Sequence, residues 1–536
     1  MYDGLRDFSR WVLPEVLKHH AAKRPDAPFV AMTDGDWLTY GQADRDADQV
    51  AGFFASLGVK AGDRVVVMVP SSLDFVRLWL GLGRLGAVFT ALNTELTGDF
   101  LRHQIENSGA RTAVFSRGLM PRLHAIAPEL KTLDTVVAAG GDAEVPEGLR
   151  PVAFDDWKSA RPWDGALPKA SDIAAITYTS GTTGPSKGVL LPHAHCYLFG
   201  LGKVDAVQMN ASDRYYIVLP LFHVNGLLMQ LGGTLLTGAS AVVRERFSAS
   251  AWLDDVRRYE CTLTNVLGAV AAFVVNQPPS PHDRDHRLRC VMAAPNPAEI
   301  ERVFRERFGV PVIGGFGMTE VNIPLYGRID DPAPGTCGRP YERYFEVDIR
   351  DPETDAPLPP GVAGEIMVRP KAPFGFMAGY QGMPEKTVEA WRNLWFHTGD
   401  AGLMREDGCF VFLDRLKDCI RRRGENISSF EVEAAMQKLD GVREVAAYAV
   451  PSDIQGGEDE VMLAVALEDG CGLTCAEIAA HADAALPRYA RPRYIEIMAS
   501  IPKTSTEKAQ KAELRKRGVG PQTWDREAQR TPETAS

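Results

Sequence analysis

The stretch "YTSGTTGPSKG" at residues 178–188 packs glycines, hydroxyl side chains and one lysine between two apolar runs, 173–176 and 189–191. Glycine loses the most backbone freedom on folding, so such a cluster between strand-like runs needs a reason. One reading is a hairpin loop, because Ser-Gly and Gly-Pro pairs punctuate turns. The other is a polyphosphate cradle. The hydroxyls of Thr179, Ser180, Thr182 and Thr183, the bare amides at Gly181 and Gly184, and the Lys187 ammonium would supply its donors. It is not a Walker loop. Gly181 and Lys187 lack the G-x-x-x-x-G-K-[ST] spacing and Gly188 follows the lysine, which argues against an ordinary P-loop ATPase.

The chain that must position this loop has 536 residues, 45% hydrophobic and 24% charged, which predicts a large core and more than one domain. A net charge of -11 with scattered basic residues argues against a nucleic-acid binder held by a positive face. Eight cysteines without framework spacing predict reduced thiols and a cytoplasmic protein. Cys471, Cys475 and His481 lack the second pair that a zinc site needs. The first twenty residues carry charges throughout and do not read as a signal peptide. The apolar stretch from Gly226 is broken by Gln230 and by glycines, so it reads as a buried helix-turn-strand, not an integral membrane segment.

Short apolar runs at 63–70, 111–116, 174–179 and 213–220 alternate with helical patterns such as 72–86. This predicts an α/β fold with layered, mostly parallel sheets and helices. After about residue 415 the texture becomes that of a small α+β domain: helices in "SFEVEAAMQKL" and "CAEIAAHADAAL", strands in "VAAYAVP", "EVMLAVALE" and "RYIEIM". The expected division is 1–416, a smaller domain at 417–520, and a polar, turn-rich and disordered tail at 521–536.

Downstream of the loop, six further segments follow in order. They are "LPLFHVNG" (219–226), "GGFGMTE" (314–320), "GEIMVRP" (364–370) with "GY" at 379–380, "WFHTGD" (395–400), "DRLKDCIRRRGENISSFEVE" (414–433) and "IPKTSTEK" (501–508). With the loop they resemble the signature motifs of the adenylate-forming superfamily, which includes acyl-CoA synthetases, adenylation domains and luciferases. The flavour is closest to its crotonobetaine/carnitine-CoA ligase branch. The resemblance covers nearly the whole chain. It implies a large N-terminal domain with a small mobile C-terminal lid, and ATP, Mg2+ and CoA as the molecules used with a small carboxylic acid. A homodimer is the assembly it admits.

Residue by residue, the resemblance implies that Thr179 and the loop through Lys187 hold phosphates, and that Glu320, with Thr179, serves the magnesium ion. Glu320 also reads as a helix N-terminal glutamate capped by Thr319. Phe316, Gly317, Met318 and Thr319 would line the adenine side. Asp400 and Arg415 would meet the ribose, and the "TGD" around Asp400 also reads as a turn. His223 resembles the gate beside the acyl group and the thiol, although a lone histidine there is as readily structural. Lys417 resembles the hinge, Gly424 the pantetheine channel and Arg491 a CoA contact, and the charge of "RRRGEN" suits CoA phosphates. Lys508 is similar to the lysine that bridges the carboxylate and the α-phosphate, a task suited to a point charge on a long stem.

Three positions depart from the pattern. Glu507 stands where relatives carry glycine, Phe316 where tyrosine is common, and 86–96 lacks the usual prolines. The expected activity is acyl-adenylate formation with the lid closed, then thioester formation after the lid swings. The rival readings are an adenylating enzyme that loads a carrier protein or amine, and a non-catalytic ATP- or acyl-binding homologue. The segments 223–229, 314–317 and 321–325 are expected to wall the acyl pocket. Being mostly apolar, they predict a small or medium apolar acid and argue against carnitine.

Overall fold

The computed structural model describes residues 2–179, 186–267, 269–294, 298–416, 418, 420–422, 425–452, 459–503 and 508–528. Ser180, Gly181, Thr182, Thr183, Gly184, Lys417, Gly424 and Glu507 lie outside the described residues.

Two large sheets form the N-terminal part. The first runs in the order Gly379–Tyr380, Lys187–Pro192, Ile173–Thr179, Val88–Ala91, Arg64–Met68, Thr112–Ser116, Thr135–Ala139 and Arg150–Ala153. Its pairs are parallel from Ile173–Thr179 onward and antiparallel at the two strands that close the other edge. The second carries Cys290–Ala294, Leu263–Leu267, Arg214–Ile217 and Ser240–Val243 in parallel, with Leu38–Thr39 antiparallel at its edge. Strands buried on both faces explain the unbroken apolar runs in the sequence. The helix Leu73–Leu85 illustrates the local logic. Ser72 Oγ accepts from Phe75 N to cap its start, and Gly86 at φ 77° ends it in the left-handed region where glycine is unstrained.

The expectation of mostly parallel layers holds for these two sheets only. A four-stranded antiparallel sheet, Phe345–Arg350, Gly364–Pro370, Phe396–Met404 and Phe410–Arg415, follows in the chain, so the molecule is mixed. The apolar stretch from Gly226 is buried within π-helical turns Asn225–Leu231, the helix Gly232–Thr237 and the strand Ser240–Val243.

Beyond residue 420, buried side chains form two clusters of their own, one with Ile420, Val432, Leu463 and Ile495 and one with Tyr448, Met462, Tyr494 and Leu514. They cover the two faces of the sheet Val442–Pro451, Asp459–Leu467, Tyr494–Ile497 and Trp524–Asp525. The last strand corrects the tail. Residues 521–528 are ordered, because Trp524 and Asp525 pair with Ile495 and Tyr494 and Arg526 Nη1 lies 2.8 Å from Asp483 Oδ1. Among the described residues no helix is long and apolar enough to cross a membrane.

Candidate active site

The strands flanking the glycine- and hydroxyl-rich segment, Ile173–Thr179 and Lys187–Pro192, pair as an antiparallel hairpin. Thr179 and Lys187 are cross-strand partners at its mouth. The base is anchored from the helix Gly98–Ser108: Gln104 Nε2 donates to Ser186 Oγ at 3.0 Å, and Tyr178 Oη lies 2.9 Å from Gln104 O and Asn107 Oδ1. Lys187 Nζ stands 4.3 Å from the Tyr380 ring centroid, a cation–π contact. Tyr380 Oη donates to Glu320 Oε1 at 3.1 Å. Lys187 and Glu320, the candidate phosphate lysine and candidate metal carboxylate, are therefore joined through one aromatic side chain.

Glu320 does not begin a helix. It sits in the tight turn between Gly315–Met318 and Asn322–Tyr326, because the paired strands on either side leave it no helical continuation. His195 fixes that turn, with Nε2 2.8 Å from Thr319 O and Nδ1 2.8 Å from Gly375 O. Asn322, at φ 71°, donates from Nδ2 to His195 O at 3.0 Å. A Cβ at Gly317 would lie 2.3 Å from Asn322 O, so the hairpin tolerates only glycine there. Phe316 is buried and stacks with Phe412 at 6.1 Å between centroids. Burial raises the Glu320 carboxyl, against the Tyr380 hydrogen bond and the charges of Lys187 and Arg415.

Asp400 lies not in a turn but inside the strand Phe396–Met404. The "TGD" residues bulge where Glu365 pairs with Ala401 and Met367 with His397, and Gly399 takes φ 71°. Glu365, which the sequence motif contains without a stated role, holds the bulge by accepting from Gly399 N at 2.8 Å. The bulge aims Asp400 at its cross-strand partner Arg415, with Oδ1 2.7 Å from Arg415 Nε. That pair is not aligned as a hydrogen bond, so buried Oδ1 has no hydrogen-bond partner among the described residues. Burial pushes the carboxyl up to about 6, against the pull of Arg415 and Lys508.

The small domain contributes Lys508 to this cluster. Its charge acts on Asp400, Arg415 and His223 together. Lys508 is an exposed residue overall, yet burial of its charged end lowers its pKa, with Arg415 adding repulsion and Asp400 opposing. The His223 ring packs tilted against Phe222, 4.4 Å between centroids at 46°, and burial followed by Lys508 brings the imidazole down to about 4. It is neutral near pH 7. Near the junction, Asp414 Oδ2 accepts from Ser429 N at 2.7 Å and caps the first helix of the small domain.

Two basic positions go elsewhere. Arg422 is buried in an ion pair with Glu460 at 2.6 Å and donates to Arg491 O at 2.7 Å, so it braces the small domain and does not face solvent phosphates. Arg491 turns to its own domain, donating to Asp483 O at 2.7 Å and Leu486 O at 3.2 Å. The expected acyl wall is also only partly met. Phe222, His223, Val224, Leu227 and Leu228 line an apolar cavity, whereas 314–317 and 321–325 do not.

Family models for the AMP-binding enzyme and for the AMP-binding enzyme C-terminal domain match residues 17–381 and 431–508. The chain belongs to the AMP-binding enzyme family. The sulfoacetate–CoA ligase of Cupriavidus necator is 32% identical over 94% of this chain and 97% of its own length. The crotonobetaine/carnitine–CoA ligase of Salmonella typhimurium is 29% identical over 89% and 93%. The structure of the anthranilate CoA ligase AuaEII in complex with anthranoyl-AMP superposes with a TM-score of 0.85, at 25% identity, over 96% of this chain and 99% of that one.

In this AMP-binding enzyme the donor set fits a magnesium nucleotide. Among the described residues no group of three His, Cys, Asp or Glu side chains forms a metal cage. Glu320 offers one buried hard-oxygen carboxylate, and magnesium is commonly held by one carboxylate together with substrate phosphates. The orphaned Asp400 Oδ1 fits a hydroxyl donor. Because its pKa is raised to about 6, Asp400 becomes neutral as pH falls through that value and loses its strength as an acceptor. KM for ATP is expected to rise about fourfold from pH 7.5 to 5.5, the limit set by the fraction of Asp400 left ionised with a pKa of about 6. Asp400→Asn should start with a high KM and show a flatter profile. Parallel profiles in the two proteins would contradict the assignment.

Proposed function

We propose that the chain is an ATP-dependent carboxylic acid–CoA ligase. The observation that carries this reading is the convergence of Lys508, from the small domain, with Asp400, Arg415 and His223 of the large one. In the first half-reaction a carboxylate oxygen attacks the α-phosphorus of ATP, the bond to the β-phosphate oxygen breaks, and pyrophosphate leaves. Negative charge builds where two anions meet, and Lys187 and Lys508 would supply the cations that offset it. Glu320 would hold Mg2+, which screens the phosphates when bound. Asp400 accepts from the ribose and Arg415 holds Asp400.

In the second half-reaction the CoA sulfur attacks the acyl carbonyl, the carbon–oxygen bond to AMP breaks, and AMP leaves with the thioester formed. Lys508 has no part in that step, so the small domain is expected to rotate about Lys417 between the two. Lys417→Pro should fix φ near -65° there and slow thioester formation more than adenylation, by about tenfold or more. Equal losses in single-turnover assays of each half-reaction would discard the hinge.

Two of the named relatives, the sulfoacetate–CoA ligase and the crotonobetaine/carnitine–CoA ligase, are named for acids with a second charged group. Among the described residues lining the apolar cavity there is no Lys, Arg, Asp or Glu to pair a sulfonate or a quaternary ammonium. The acid preferred here is apolar and small to medium. The deciding measurement is acid-dependent pyrophosphate release across a panel of carboxylic acids, followed by AMP release on adding free CoA. An enzyme that holds its adenylate until a carrier protein is supplied would refute CoA as the acceptor.

A further inference from the structure

We infer that Glu365 and His397 are positioning residues: a largely buried chain from Asp355 through His397 and Glu365 to the Gly399 amide holds the Asp400 carboxylate on the ribose and sets how strictly the site demands a ribonucleotide. This rests on the ribose role proposed for Asp400 and extends it to two side chains that act through its backbone.

The chain of contacts starts at the bulge. Two consecutive amides there are tied to one strand, Gly364–Pro370. Gly399 N donates to Glu365 Oε1 at 2.8 Å. Asp400 N donates to Thr398 Oγ1 at 3.1 Å, and that hydroxyl donates in turn to Ile366 O at 2.6 Å. Without the Glu365 carboxylate the Gly399 amide would be a part-buried donor left unpaired. A glycine at φ 71° would then be free to relax, and Asp400 with it.

Glu365 is itself held by its second oxygen. It is buried, and His397 Nδ1 lies 3.0 Å from Oε2. Arg392 Nη2 is 3.2 Å from the same ring nitrogen, but its two hydrogens have takers in Pro352 O at 3.0 Å and Asp355 Oδ1 at 3.1 Å. The proton on that nitrogen is therefore the imidazole's own, donated to Glu365. On the far side His397 Nε2 makes no hydrogen bond among the described residues and faces Asp355 Oδ2 at 3.7 Å. Asp355 is buried at φ 59°, and Asn393, at φ 53°, donates to its Oδ2. Non-glycine residues keep such left-handed conformations where the surrounding structure fixes them. A fixed outer end holds the imidazole, and through it the carboxylate, in one orientation.

The test compares ATP with 2′-deoxyATP and 3′-deoxyATP in acid-dependent pyrophosphate release by the full-length enzyme. The native protein should show a KM for ATP about tenfold or more below that for at least one analogue, on the scale of a charged hydrogen bond. Glu365→Ala should raise KM for ATP about tenfold or more and that for the analogue much less, with KM for the acid and for CoA unchanged. Glu365→Gln keeps an acceptor for Gly399 N and, with the imidazole proton on Nε2, a partner for His397, so it should retain the preference. His397→Leu should lose preference in the same direction, and His397→Asn, which restores a donor near the place of Nδ1, should rescue it. If Glu365→Ala does not fold, the two His397 variants read the same ratio. A native-like preference for ATP in both Glu365→Ala and His397→Leu overturns the inference, as does a loss spread evenly over nucleotides, acid and CoA. A native enzyme that uses ATP and both analogues alike overturns the ribose role of Asp400, and this inference with it. Acid-dependent pyrophosphate release in that same assay leaves the ligase reading standing.

Discussion

Lys508→Ala is expected to lower acid-dependent pyrophosphate release by at least about 10²–10³-fold while supplied acyl-adenylate and CoA are still converted to thioester. Removing one preorganised donor aimed at developing charge costs about that much, and an ammonium costs at least as much. The asymmetry between half-reactions is the informative part. A folding defect would lower both, whereas loss of a cation needed only where the carboxylate meets the α-phosphate lowers one. The neighbouring lysines are poor substitutes. Lys503 Nζ lies 3.1 Å from Glu444 and Lys511 Nζ 2.8 Å from Glu433, each within the small domain. Near-normal adenylation by Lys508→Ala would remove the central residue from the mechanism. Glu507→Gly is the companion variant. It restores the residue common among relatives and should leave adenylation equal or faster.

The second large effect is expected at Glu320 and at the tyrosine behind it. Glu320→Gln removes the buried carboxylate proposed to hold Mg2+ and should lower adenylation by about 10²–10³-fold. Tyr380→Phe keeps the ring under Lys187 but deletes the hydroxyl that donates to Glu320. Loss of a group that orients a metal ligand typically costs 10–100-fold in affinity or activity. The Tyr380→Phe loss should show as a higher Mg2+ requirement in equilibrium MgATP binding as well as in turnover. Tyr380→Leu, which removes the ring too, should add a further loss in ATP affinity through Lys187. If Tyr380→Phe binds MgATP like the native enzyme at every Mg2+ concentration, Tyr380 is only a packing residue. Thermal melts of all three proteins separate these outcomes from unfolding.

The sequence by itself determined the strands and helices that carry strong periodicity, because an apolar run of five residues bounded by turn residues admits few conformations. The runs at 63–70, 111–116 and 213–220 became Arg64–Met68, Thr112–Ser116 and Arg214–Ile217, and the texture change near 415 became a second set of buried clusters. It also named the chemistry-bearing residues, since charge and hydroxyl content at fixed intervals are properties of the chain alone. Tertiary structure decided what those residues touch. Glu320 reads equally as a helix start until paired strands on either side force a hairpin turn, and the Asp400 segment reads as a turn until Glu365 pins a bulge within a continuous strand. Arg422 reads as a phosphate contact until burial beside Glu460 gives its charge another partner. His195 and Tyr380 acquire their contacts only through elements far away in the chain. The physical reason is common to all of them. Local sequence sets backbone preference, but the worth of a polar side chain depends on the partners and dielectric around it, and long-range packing alone supplies those.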